Sequence, residues 1–274
     1  MPLLCQSARP LDAAEAGGHR DHWAALLGDA LPQVQARIDA ATPSCEIVPP
    51  HAASTGALMA AGEPLAFALL QADRSGGQPA SGLLCVVQVS LDDRGQPTVR
   101  EIRTAYPHLG AAAALPARVR GIALFPGRLE ARLRLDLGHG RIVDAFDSFY
   151  WRNRGRYREN DPVAFALTAL GRMGPSVAEA GNRPLSLRRL PDGRPDDMHF
   201  QGVVVAVTPD AVTVLGERLW RVETRLARLG STDLVLPVHV SAAGFAGDWR
   251  PAPGDAVSGS LWLQTRLVEA PGEG

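Results

Sequence analysis

Leu129-Glu130-Ala131-Arg132-Leu133-Arg134-Leu135-Asp136-Leu137 alternates without a break between apolar and charged side chains. A period of two puts every leucine on one face of a pleated strand and every charge on the other, the pattern of a half-buried antiparallel strand. Gly138-His139-Gly140-Arg141 follows with turn chemistry, and Ile142–Tyr150 is the expected return strand. This hairpin sets the reading of the second half of the chain as strands and turns.

Downstream, Asp161-Pro162 leads into Val163–Leu167, again at period two. Residues 172–197 are rich in Pro, Gly, Arg and Asp and read as a linker with one short strand near Leu185–Leu190. Strands resume at Phe200–Val207, and Thr208-Pro209-Asp210-Ala211 reads as a turn. Val212–Leu215, Leu219–Leu226, Leu234–Val240 and Val257–Leu267 follow. Upstream, Trp23, Leu26, Leu27, Leu31, Val34 and Ile38 recur at spacings of three and four and predict a helix over 19–41, broken or kinked at Pro32. Leu65–Gln71, Leu84–Leu91 and Thr98–Thr104 then predict strands. The fold class is α+β: an N-terminal α+β domain (1–116), a small antiparallel β domain (117–171), a linker (172–197) and a second antiparallel β domain (198–270).

The two β stretches share an order of events. Each has an early glycine (Gly121, Gly202), a long alternating strand, a return strand, an aromatic–arginine pair (Tyr157-Arg158, Trp249-Arg250) and a closing strand. Glycine early in the first strand permits the bend of a barrel corner. With Gly202 and Gly254-Asp255-Ala256-Val257-Ser258-Gly259, the later stretch resembles the oligonucleotide/oligosaccharide-binding (OB) barrel, and 117–170 resembles it less fully. A generic meander or sandwich gives the same alternation.

Composition bounds the function. The chain has 274 residues, 46% of them apolar, and carries no run near the roughly 18 apolar residues of a membrane span. Asp12 and Glu15 interrupt the first twenty residues, so no secretory signal is expected. Three widely spaced cysteines (Cys5, Cys45, Cys85) form neither a disulfide framework nor a zinc site, which points to the cytoplasm. All 28 basic residues are arginine, as a GC-rich bacterial genome would encode. Without lysine there is no phosphate-binding P-loop, Schiff base or lysine-dependent kinase chemistry, and no nucleophile elbow occurs. No cofactor or metal is expected. Residues 117–170 hold 10 Arg against 6 acids, whereas 1–116 hold 7 against 11 and 171–274 hold 11 against 12.

The densest candidate site lies in that basic third. Phe146–Arg158 holds five of the fifteen aromatic residues and four arginines. It reads as a solvated loop with buried aromatics, as a protein-partner surface, or as a stacking platform for nucleic acid. Trp151, Arg152, Arg154, Arg156, Tyr157 and Arg158 are the candidate partner-binding residues, expected on the surface. His19 and His22 open the helix and read as an exposed first turn rather than a metal site. The expectation is a non-catalytic cytoplasmic bacterial binding component, an accessory, adaptor or immunity-type subunit facing an acidic protein. The alternatives are an OB-type single-stranded nucleic-acid binder and, more remotely, a hydrolase assembled from residues such as Asp196, Asp197 and His199.

Overall fold

A computed structural model describes residues 8–12, 18–51, 55, 65–73, 81–94, 97–110, 114–176, 185–191 and 194–268. The protein is mostly β, with few helices, a large mixed sheet and a small antiparallel one.

The amphipathic stretch near the N-terminus forms α1 (Arg20–Leu27), a 3₁₀ turn (Gly28–Gln33) and α2 (Val34–Ala41). Pro32 sits in the 3₁₀ turn, where its missing N–H forbids a continuous α-helix. The small sheet has the order β2 (Glu46–Val48), β3 (Ala66–Asp73), β4 (Ser81–Leu91) and β5 (Pro97–His108).

The large sheet contains β1 (Arg9–Pro10), β6 (Ala114–Leu124), β7 (Ala131–Asp136), β8 (Ile142–Asp147), β9 (Pro162–Pro175) and β10 (Ser186–Arg189). It continues with β11 (Asp197–Val214), β12 (Glu217–Leu229), β13 (Thr232–Ser241) and β14 (Ala256–Leu267). Its ladders return on themselves twice. β6, β7 and β8 pair antiparallel in turn; β8 runs parallel to β14, β14 antiparallel to β9, and β9 antiparallel to β6. β11, β12 and β13 also pair in turn; β13 runs parallel to β9, and β14 pairs back with β11. The two rings of pairing share β9 and β14.

That sharing changes the expected division. Residue 171 lies inside β9, and 172–175 are strand rather than linker, as are 186–189 in β10. Gly174, in the stretch expected to be linker, and Gly171 are small because a Cβ would meet Ala246 Cβ at 3.0 Å at the first and Ser260 O at 2.8 Å at the second. Gly259 is tighter still: a Cβ there would lie 1.9 Å from Arg172 O. The expected turn at 208–211 is a register shift within the long β11, with Asp210 at φ 49°.

Two cores result. One, with Leu133, Leu135, Leu226, Leu236 and Leu263, fills the two rings. The other, with Trp23, Leu26, Leu84, Tyr106, Phe146 and Trp262, joins the helices and small sheet to the rings. No helix among the described residues is long and apolar enough to cross a membrane.

Candidate functional site

The aromatic–arginine segment is largely interior, which corrects the expected exposure of three of its residues. Trp151, Arg154 and Tyr157 are 1%, 3% and 2% exposed; Arg152 and Arg156 are half-buried, and Arg158 is exposed. The alternation that predicted outward side chains ends at Asp147. Beyond it the chain turns into α3 (Tyr150–Asn153), where a period of two no longer applies. The Tyr157 hydroxyl donates to Asp147 Oδ2, and the Phe149 N–H donates to Asp147 Oδ1 at 3.0 Å. Burial nevertheless pushes the Asp147 carboxyl up to about 7. Tyr157 stacks between Tyr150 and Phe165. Tyr150, Trp151, Arg154 and Tyr157 are thus interior, while Arg158 reaches the surface.

The histidines of α1 are also interior, against the expected exposed turn. His22 is 3% exposed and lies flat on Trp262, with ring centroids 3.7 Å apart. Arginine can only donate, so Arg194 Nη2 at 2.8 Å makes His22 Nε2 an acceptor. His22 Nδ1–H then donates to His19 Nδ1 at 3.1 Å, and His19 Nε2–H to Glu130 Oε1 at 2.7 Å. Burial, then His19 and Arg194, hold the His22 pKa well below its usual range. Beside it, Asp196 accepts from Trp262 Nε1 (2.8 Å) and pairs with buried Arg132 (3.3 Å). The fold thus brings Asp196 and Asp197 to His19 and His22. His199, the third residue of the hydrolase alternative, is exposed, and Asp196 has both oxygens engaged. This joint fastens α1 to the rings. Among the described residues no cluster of His, Cys, Asp or Glu could hold a metal ion. Burial pushes the Cys85 thiol up to about 12, so it is no nucleophile at neutral pH.

Two surface features stand out instead. The first is the β4–β5 hairpin. Register pairs Val87 with Ile102 and Val89 with Val99, and Leu91 lies two residues beyond Val89, so these apolar positions share one face. The ladder shifts between Gln88/Glu101 and Val89/Val99, and this bulge at Arg100 brings Val99 and Ile102, three apart in sequence, to the same side. Gln88, Ser90, Glu101 and Arg103 take the other face, with Arg100 Nε donating to Ser90 Oγ (2.7 Å) and Arg103 Nε to Gln88 Oε1 (2.8 Å). Leu91, Val99 and Ile102 are 43%, 48% and 44% exposed, and β5 ends its sheet.

The second is a recess of about 280 Å³ on the outer face of β6 and β7. Arg9, Arg132, Arg134 and Arg189 line it, with Asp144 as the carboxylate in its wall. Sequence reading passed over it because its arginines come from three distant strands.

No protein-family model and no curated protein matches the chain. Among solved structures, it is similar to the cytoplasmic molybdate-binding protein ModG in a molybdate-bound crystal form. The match has 13% identity and a TM-score of 0.33, covering 57% of this chain and 96% of that one.

Proposed function

We propose that the chain is a non-catalytic binding component that acts by docking another protein on the β4–β5 hairpin. The observation that carries this reading is the coincidence of an apolar face with an open edge. Half of the six large apolar residues exposed among the described ones (Leu91, Val99 and Ile102) lie on this hairpin, on one side of it. Among the described residues, β5 pairs only with β4, and 98–103 are exposed. A strand edge with free N–H and C=O groups beside an apolar face suits a partner that adds a strand. The folded rings supply the rigid base, and we read them as two OB-like barrels that exchange their closing strands. The acidic partner expected from composition would meet the arginines of the outer β6–β7 face.

The test is capture of partners from the protein's own cells with the tagged wild type and with Val99→Asp/Ile102→Asp. Both positions are exposed, so the variant should unfold at the same temperature. A near-stoichiometric protein held by the wild type and lost by the variant is the expected result. An identical set of captured proteins would overturn the reading. So would a concentration-dependent dimer in sedimentation that the variant abolishes, since the occupant would then be a second copy.

A further inference from the structure

Another recess, of about 820 Å³, lies where the N-terminal helices meet β5 and the loop between β6 and β7. Its walls are mostly apolar: Trp23 from α1, Leu31 from the 3₁₀ turn, Val34 and Ile38 from α2, and Phe125 from the loop. Hydrogen bonds and ring contacts hold these walls in place. Trp23 Nε1 donates to Ala105 O at 3.3 Å, and the His19 ring lies nearly parallel to Phe125, with centroids 6.3 Å apart. A concave apolar surface with a few fixed polar groups is the usual form of a small-molecule site.

Two of the charged groups here are left open, one of each sign. Glu130 Oε1 accepts from His19 Nε2–H at 2.7 Å and from Thr104 Oγ1 at 3.0 Å. Its Oε2 accepts from no described residue. The Glu130 side chain is 12% exposed and lines the recess. Arg20 and Arg103 stand at the rim, both exposed. Arg103 is occupied by Gln88 and by Glu101 at 2.7 Å, whereas Arg20 makes no hydrogen bond or ion pair to a described residue. Arg20 follows His19 in the chain and His19 touches Glu130, so the open guanidinium and the open carboxylate oxygen stand at one end of the recess. A simple anion would meet Glu130 there, and a simple cation would meet Arg20. A zwitterion suits both, its ammonium donating to Glu130 Oε2 and its carboxylate accepting from the Arg20 fork.

We propose that this recess binds a free α-amino acid with a large apolar side chain. Glu130 takes the ammonium, Arg20 the carboxylate, and the side chain lies between Trp23, Val34 and Phe125. His19 and Thr104 hold the Glu130 carboxyl in position through its other oxygen. Neither Val99 nor Ile102 takes part, so the site stands whether or not a protein docks on the hairpin.

The experiment is calorimetric titration of the full chain at low ionic strength with L-phenylalanine, phenethylamine, 3-phenylpropionate and glycine. The first three share an aromatic body and differ in their charged ends; glycine keeps both ends without the body. Saturable one-to-one binding of L-phenylalanine, at least about threefold tighter than each of the others, is expected. Glu130→Gln keeps an oxygen that can accept from His19 and Thr104 but loses the charge, and should weaken that binding about tenfold or more. Arg20→Gln changes an exposed side chain and leaves the fold intact. It should weaken L-phenylalanine about threefold and leave phenethylamine no weaker. Val99→Asp/Ile102→Asp should bind L-phenylalanine as the wild type does, which separates this site from the hairpin. Absence of saturable L-phenylalanine binding would overturn the proposal. So would phenethylamine, 3-phenylpropionate or glycine binding as tightly, or binding unchanged in Arg20→Gln and folded Glu130→Gln.

Discussion

The two rings share a strand order and two strands, yet they distribute arginine differently on their outer surfaces. On β12 of the second ring, Arg218, Arg221, Arg225 and Arg228 each have a carboxylate within reach: Asp210, Glu223, Asp233 and Asp233. On the first ring, Arg132 and Arg134 crowd with Arg9 and Arg189 around Asp144. The early glycines differ in the same sense. A Cβ at Gly202 would lie 2.6 Å from Arg225 O, whereas one at Gly121 would point into open space. One glycine serves packing, and the other keeps a hollow clear. One copy is thus filled at this corner while the other stays open.

The shared strands should be the most sensitive part of the comparison. Gly259→Ala places a methyl group 1.9 Å from a backbone oxygen of β9, contact that neither ring can avoid. A loss of about 3 kcal/mol or more is expected, seen as failure to recover folded protein or a collapse of the denaturation midpoint. A normal midpoint would mean that the rings do not share β9 and β14 as described.

Acid should come next. His22, His108 and His239 are buried and held neutral: His22 well below its usual range, His108 at about 3 and His239 at about 4, in each case chiefly by burial. The unfolded chain takes up these three protons near pH 6.5 while the native one refuses them, so stability falls as pH drops below 6.5. Asp147 acts in the other direction. Its native pKa of about 7 lies above the unfolded value, so it destabilises increasingly as pH rises from about 4 to 7, and acid relieves that cost. At about 1.4 kcal/mol per pH unit and group at full slope, less near pH 6.5 where the unfolded histidines are half-protonated, three losses against one gain leave a net fall of about 3 kcal/mol between pH 6.5 and 5. Urea denaturation at the two pH values checks it, and equal stability would show that the histidines are not held neutral.

Paired alanine substitutions sharpen the contrast between the early glycines. Gly202→Ala should cost about 1–3 kcal/mol through its clash with β12, and Gly121→Ala should change stability by no more than about 0.5 kcal/mol. Equal costs in urea melts would erase the difference between a packed and an open corner. The smallest effect is expected at Arg225→Gln, less than about 1 kcal/mol in the same assay, because its pair with Asp233 is solvent-screened.

Much of the strand layout was legible from side-chain alternation, and Pro32 marked the break between α1 and α2. Alternation tells which face a residue takes, but not which strand lies beside it. The exchange of β9 and β14 between rings was therefore invisible, and glycines that permit their close approach looked like linker residues. The same limit hid the recess on β6 and β7, since Arg9, Arg134 and Arg189 come to one recess from three separate strands. Trp151 was misplaced because a strand period was carried into a helix, and Tyr157 because its partner, Asp147, lies ten residues back in β8. The exposed side of β5 stayed hidden because the bulge at Arg100 aligns Val99 with Ile102, which a period of two puts on opposite faces. His19 and His22 carried no sequence signal of burial, because the aromatic floor beneath them comes from Phe146 and Trp262, far along the chain.

Amide hydrogen exchange tests most directly whether β9 and β14 serve both rings. The central amides of the two paired strands, Leu167 to Leu170 and Leu261 to Gln264, should be protected longest and open together. Early exchange in one strand while the other stays protected would contradict the shared ladders.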